Sequence, residues 1–335
     1  MALPPTLGDL AQSVQLRRQT ALVSRELTAL AGELTSGLRR TAAVGAAGDF
    51  GPLAGIESDL KANAARSLAA SETAILADLA ELSLGKVKAE ADAVLPGMLL
   101  VKTEVDGGSV LTAAEAAEHA FRATVAALNA RSGDRAVFAG ADLTGVALAD
   151  ADTMLAALDA AVAGQTTAAG VDAALDAWFA PGGGFDTTGY LGATADAGPT
   201  EVGDRVTAGV PIRADGDAAR DVLRALAGAA MAARGTVAAP EERRALVAAS
   251  ADRLLNAGPG IEQARARVGL VQARIAGAEA ANAAERSALQ IARSELRDAD
   301  PFETATRLQS VETQLQTIYT VTARLSRLNL TSYLR

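Results

Sequence analysis

Few side chains in this 335-residue sequence could do chemistry, and they are scattered. There is one histidine, His119, and no cysteine. Disulfides, thiolate catalysis and cysteine–metal sites are therefore excluded, and most histidine-dependent catalysis and metal binding goes with them. His119 stands beside Glu118 on a helical stretch with no second ligand type near it, the setting of a surface or packing residue. Asp298, Asp300 and Glu303 could gather round a cation, but they lack the glycine and further ligands of a calcium loop. Helix capping accounts for them better: Asp300 caps, Pro301 takes the first helical position and Glu303 reaches back. Thr112 and Glu115, in LTAAE, have the same capping-box spacing. PGGGFD at 181–186 is glycine-rich without the lysine and serine of a phosphate-binding loop, and reads as a turn. No nucleophile–base pair and no cofactor fingerprint is present, so the expectation is a non-enzyme with no cofactor and no metal.

The bulk composition points to helices and to a partner other than nucleic acid. Half of the chain is hydrophobic while only 3% is aromatic. Much of that apolar content is alanine, the best helix former but a poor filler of cores. The net charge of −9 and the lack of a basic stretch argue against phosphate recognition. No run approaches ~18 uninterrupted apolar residues, so no membrane span is expected. The opening MALPPTLGDLAQS has no basic region followed by an apolar one, so a Sec-type signal is not expected. Those features suit the cytoplasm, or export by a route that cleaves no signal.

Helical seams occupy both ends. From Leu7 to Leu38, Leu16, Val23, Leu27, Leu30 and Leu34 step by three and four, with Thr20 filling one place, and Gly37 is suited to end the helix. A glycine-rich loop, VGAAGDFGP, follows. A second helix starts near Pro52 and carries Leu53, Ile56, Leu60, Leu68, Ile75, Leu79 and Leu82 along one side. It is expected to break at Pro96-Gly97. A third presents Ala117, Phe121, Val125 and Leu128. Helical patterning returns with Ile261, Ala264, Val268, Val271, Ile275 and Ala278, and Asn282 and Glu285 interrupt it. The arginines along this stretch, Arg265, Arg267, Arg274, Arg286, Arg293 and Arg297, read as a solvated or inter-helix face. After Asp300 the last helix carries Leu308, Val311, Leu315, Ile318 and Leu325 on a seam, then Leu328, Leu330 and Leu334. An apolar pattern sustained to the last residue is unusual, because helix ends ordinarily fray into solvent. It implies that something buries the tail.

The middle is different. Short helices are expected near 150–163 and 168–178. Val202, Val206, Val210 and Ile212 suggest short strands, and Trp178, Phe179, Phe185 and Tyr190 supply bulk for a small core. The expected fold is mainly α, with long N- and C-terminal helices pairing as a coiled coil or bundle and a smaller mixed α/β outer domain inserted between them. Residues 1–40 and 300–335 would be the terminal coiled coil, 41–140 and 236–299 a helical bundle, and 141–235 the insert.

This nested plan resembles the flagellin superfamily. ELTSGLR at 33–39 is similar to the stretch that closes the family's first helix. ARVGLVQARIAGAEAANAAERSALQIARSELRDADPFETATRL at 266–308 is similar to its C-terminal helical segment, and LSRLNLTSYLR resembles its tail. Within the superfamily, LNARSGDRAVFAGADLTGVAL at 128–148 looks like the helix end and FAG turn of the hook–filament junction class. The resemblance implies a secreted, extracellular structural protein of the flagellum, exported unfolded through the flagellar type III apparatus. Its implied partners are other copies in a ring or tube, the adjoining hook-associated protein, flagellin and a flagellar export chaperone. The implied assembly interface is Leu16, Val23, Leu27, Leu30 and Leu34 meeting Leu308, Val311, Leu315, Ile318 and Leu325, with Leu328 and Leu334 beyond. A filament flagellin and, more distantly, a monomeric helical binding protein stay open as alternatives.

Overall fold

A computed structural model describes residues 7–39, 51–103 and 107–333. The fold is mainly α, with long helices and a small amount of sheet. In chain order the helices are α1 (Leu7–Ser36), α2 (Gly51–Leu100), α3 (Gly107–Leu128), α4 (Ala151–Ala161), α5 (Ala168–Phe179), α6 (Asp217–Ala233), α7 (Pro240–Arg297) and α8 (Pro301–Tyr333). Two antiparallel hairpins pair β1 (Arg131–Ser132) with β2 (Arg135–Ala136) and β3 (Thr200–Gly203) with β4 (Val206–Ala208). A π-helical turn covers Phe185–Gly189. The chain divides into two compact units, one of Met1–Ala62 with Glu285–Arg335 and one of Asn63–Ala284. The glycine-rich loop at 44–52 lies almost wholly outside the described residues.

The core of the Asn63–Ala284 unit is built on α3 and α6. Ala117, Phe121, Val125 and Leu128 are buried on α3, as their spacing predicts. They pack against an α6 whose residues from Val222 to Ala232 are all buried. Glycine also lets α7 come close to α6: a Cβ on Gly228 would sit 2.4 Å from Ser250 Oγ. Away from this axis the aromatic residues gather. Trp178 meets Phe179 edge-on at 4.7 Å, Phe179 stacks on Phe185 at 5.3 Å, and the Arg220 guanidinium lies 4.7 Å from the Phe185 ring centre.

Charge holds α5 to α6 and α7. The buried Arg224 donates from Nε to Asp176 at 2.9 Å and from Nη2 to Asp172 at 2.5 Å. Arg253 Nη2 reaches the same two carboxylates at 2.6 and 2.8 Å. Burial pushes the Asp172 carboxyl up, but hydrogen bonds from Arg253 and Arg224 outweigh it and hold the group below the usual carboxylate range.

The FAG turn rests on a glycine in the left-handed region. Gly140 has φ +64°, and a Cβ there would lie 2.5 Å from the carbonyl oxygens of both Ala193 and Ala195. Phe138 ahead of it is fully buried, and its carbonyl accepts from Ala214 N at 3.0 Å. Asn282, the polar break in the α7 pattern, is buried. Its Nδ2 donates to Val202 O at 2.8 Å, and its carbonyl accepts from Asn63 Nδ2 at 2.9 Å. The interruption therefore fastens β3 and α2 to α7.

Several expectations fail here for local reasons. Pro96 does not end α2, which runs on to Leu100. The lost N–H bond falls in the final turns, and the fully buried Met98 beyond it rewards continuing the helix. Thr112 and Glu115 do not cap α3, because the helix already begins at Gly107. Thr112 Oγ1 instead donates to Gly108 O at 3.0 Å, inside the second turn. Val210 and Ile212 lie beyond β4 and belong to no strand. On α2 the core side is Ala70, Thr73, Ala77, Ala80, Leu84 and Val87, while Leu68, Ile75 and Leu82 are exposed.

Candidate functional site: the paired terminal helices

Alternating steps of three and four put one apolar stripe on α1 and another on α8, and a two-helix seam is what such stripes make. Val23, Leu30 and Val311 form its buried centre, with Leu27, Leu308, Leu315 and Ile318 packed against them. These seven residues are the part of the expected seam that the structure brings together. Leu16 is half-buried outside this cluster, and its carbonyl accepts from Thr20 Oγ1 at 2.9 Å. Leu34 is 41% exposed. The side chains of Leu325 and Leu328, and all of Leu334, lie outside the described residues.

The two helices are joined by a tight closure. Gly37, at φ +69°, donates to Glu33 O at 2.8 Å and ends α1. Its carbonyl then accepts from Ala299 N at 2.9 Å, and Arg39 N donates to Arg297 O at 2.9 Å. Leu38 and Asp298 thus form an antiparallel bridge. The ELTSGLR and RDAD segments, more than 250 residues apart in sequence, meet here. Asp300 Oδ1 accepts from Phe302 N at 2.8 Å and Glu303 N at 3.1 Å, with Pro301 as the first helical residue of α8. Glu303 does not reach back to complete a box; it pairs with Arg307 at 2.8 Å, one turn on. Nearby, Arg293 and Arg297 lie 3.8 and 3.7 Å from Glu57.

A two-helix seam covers one stripe on each helix and leaves the rest to solvent. Leu22 is 62% exposed, Tyr319 56% and Phe302 84%. Val14, Leu38 and Val321 are exposed as well. Phe302 hides in the sequence inside a capping pattern, where only its bulk in an otherwise polar turn signals it.

The other chemistry-bearing residues are structural. His119 is exposed on α3, and Glu118 beside it pairs with Arg122 at 2.6 Å and Arg234 at 3.1 Å. In PGGGFD, Asp186 accepts from Gly182 N at 2.7 Å and from Arg220 at 2.6 Å, and a Cβ on Gly184 would strike the Trp178 indole at 2.0 Å. The glycines there make room for a tryptophan. Burial pushes Asp186 up, but the Gly182 N–H and Arg220 hold it below the usual range. Among the described residues no helix is long and apolar enough to cross a membrane.

Comparison with known proteins fits this geometry. Residues 253–334, which take in most of α7 and all of α8, match the family model of the bacterial flagellin C-terminal helical region. The C-terminal quarter of the chain is therefore a region of flagellin-superfamily type. No curated protein matches the chain.

Proposed function

We propose that this chain, with its flagellin-type C-terminal region, is a structural subunit of the bacterial flagellum at the hook–filament junction. There it joins the hook-side adaptor to flagellin through its paired terminal helices. The observation that carries the reading is the α1–α8 seam, whose C-terminal helix falls within the matched region while apolar side chains on both helices stay exposed. Copies associate in a ring or tube by covering those faces, and the ordering of the seam is coupled to association. The role is mechanical, with no catalytic step. The junction position is supported by the resemblance of residues 128–148 to that class and by the built FAG turn around Gly140. On the way out the chain uses a flagellar export chaperone and the type III export apparatus, and it resides outside the cell.

Filament flagellin is the second reading, favoured by the family model itself, which is that of flagellin. Deleting the gene separates the two, with electron microscopy of the cells and an assay for flagellin in the medium. Bare hooks with flagellin released outside are the expected result. Missing filaments with no released flagellin would make this chain the flagellin, and normal flagella would overturn both.

A further inference from the structure

The apolar stripes of α1 and α8 do not by themselves fix how far one helix is slid along the other. In the seam, Val23, Leu27 and Leu30 pack with Leu308, Val311, Leu315 and Ile318. α1 runs into the Leu38–Asp298 bridge and α8 leads away from it, so the two helices are antiparallel. Equal rise from the bridge sets Leu30 level with Leu308, Leu27 with Val311 and Val23 with Leu315. Both stripes repeat every seven residues, so a slide of one heptad offers a second solution. Leu34 then meets Val311, Leu30 meets Leu315 and Leu27 meets Ile318, again three levels that are apolar on both sides.

A coiled coil usually rejects such a slide through a polar seam residue that needs a particular partner. Thr20 is the polar member of the α1 stripe, but its hydroxyl is spent within α1, donating to Leu16 O at 2.9 Å. Glu303, at the start of α8, likewise turns to Arg307 of its own helix at 2.8 Å. Neither contact singles out a register.

The closed end of the pair does. Gly37 O accepts from Ala299 N and Arg39 N donates to Arg297 O, both at 2.9 Å. A one-heptad slide carries α8 and the segment attached to it by about 10.5 Å, several times the reach of a hydrogen bond. The bridge therefore exists in one register and is lost in the other. We infer that the Leu38–Asp298 bridge is the register-setting element of the terminal pair, selecting one of two slides that the apolar stripes alone accept. Register decides what the pair presents outward. The same slide takes the exposed Phe302, Tyr319 and Val321 about 10.5 Å past the exposed Leu22, so a second copy would meet a different face. The bridge thus determines which chains are competent to join an assembly. That consequence rests on the self-association reading above, whereas the register itself does not.

The chain contains no cysteine, so paired cysteines read the register directly. Full-length Leu27→Cys with Val311→Cys reports the bridged register, and Leu27→Cys with Ile318→Cys the slid one. Each pair is oxidised at high dilution, and closure within one chain is read as loss of free thiol in the monomeric product. With the bridge intact, the first pair is expected to close and the second to stay reduced. Arg39→Pro combined with Ala299→Pro removes both N–H donors of the bridge, and Gly37→Val disturbs it separately at a left-handed position. In both backgrounds the second pair is expected to close in a yield comparable to the first, with the Trp178 urea midpoint unchanged. Bridge variants that still close only the first pair overturn the inference, because the seam then sets its own register. Variants that close neither pair also overturn it, since the bridge would then be a condition for the seam and not a selector of its slide. Bridge variants locked by the first disulfide are expected to assemble like the unmodified chain, and those locked by the second to fail. Equal assembly from the two locked forms overturns the consequence for assembly and leaves self-association standing. If the unmodified chain does not assemble at all, the self-association reading falls while the register result stands.

Discussion

Replacing Gly140 by alanine, with Gly133→Ala beside it, tests whether the FAG turn depends on close packing or only on backbone freedom. Both glycines have positive φ, +64° and +58°. Placing an L-residue in that region costs about 1–2 kcal/mol at either position. Their surroundings differ completely. A Cβ on Gly133 meets nothing within 4 Å, while one on Gly140 meets two carbonyl oxygens at 2.5 Å and Arg213 Cδ at 2.9 Å. Backbone on both sides cannot swing away as a side chain can. The two backbone segments must part, straining the Ala141 N to Ala195 O and Ala193 N to Ala139 O bonds, both 2.9 Å. Each bond is worth about 1 kcal/mol. Gly140→Ala should therefore cost about 3–4 kcal/mol and Gly133→Ala about 1–2. Trp178 is the sole tryptophan and is buried in the Asn63–Ala284 unit, so its fluorescence in a urea titration reports that unit alone. Equal losses from the two substitutions would refute the argument, because conformation without contact would then explain both.

The remaining predictions follow from the same contacts. Leu315→Asp puts a charge into the α1–α8 seam and should abolish sedimentable assemblies while the Trp178 urea midpoint stays unchanged; a shared loss of both would mean the seam is not a separate site. Arg224→Met leaves Asp172 and Asp176 with Arg253 alone and should cost about 3–5 kcal/mol in the same titration. Because the folded-state Asp172 is held below 3.8, its contribution is present above that pH and is lost as pH falls through the folded value; acid titration of wild type against Arg224→Met should show the steeper loss in wild type. Asn282→Ala removes the bond to Val202 and should cost about 1–2 kcal/mol, with faster amide exchange in the β3–β4 hairpin as the local readout. Burial, with the nearby Asp215, raises Tyr190 to about 12, so its stabilising effect is complete below 10 and fades as pH rises through about 12; alkaline difference spectra should show one of the three tyrosines ionising late.

Long heptad seams and aromatic clusters were legible in the sequence, because their periods and bulk carry the signal. Val23, Leu27, Leu30 and Val311 show this at the ends, and Trp178, Phe179 and Phe185 in the middle. Alanine defeats the same method. The α6 segment DAARDVLRALAGAAMAA carries Asp217, Arg220, Asp221 and Arg224 on one side, but its second half is alanine, glycine and methionine with little bulk, and the helix at the centre of the unit is not among those expected from the sequence. On α2 the error ran the other way: Leu68, Ile75 and Leu82 look like core because they are large, while the true inner face mixes Ala70, Ala77 and Ala80 with Thr73, Leu76, Leu84 and Val87. Where alanine supplies much of a helix's inner face, some of its large aliphatics are left on the outer one. The Thr112–Glu115 box failed for a different reason, whereas the Asp300 cap held. Thr112 and Glu115 have a correct spacing, but two glycines and a serine ahead of them were recruited into the helix once Val110 was buried.

That inversion bears on how the Met1–Ala62 and Glu285–Arg335 unit can be stable. Among the described residues, its seam buries Val23, Leu30 and Val311 to less than a tenth of their surface, along helices of 30 and 33 residues. Covering the exposed Leu22, Phe302, Tyr319 and Val321 would add apolar burial to that of the seam. Association then sets the stability of the terminal helices, which should rise with protein concentration, while unfolding of the Asn63–Ala284 unit should not. Helical circular dichroism melts over a hundredfold concentration range, read beside Trp178 fluorescence, would separate the two. A terminal transition that ignores concentration would mean that the pair is self-sufficient and its exposed apolar faces idle.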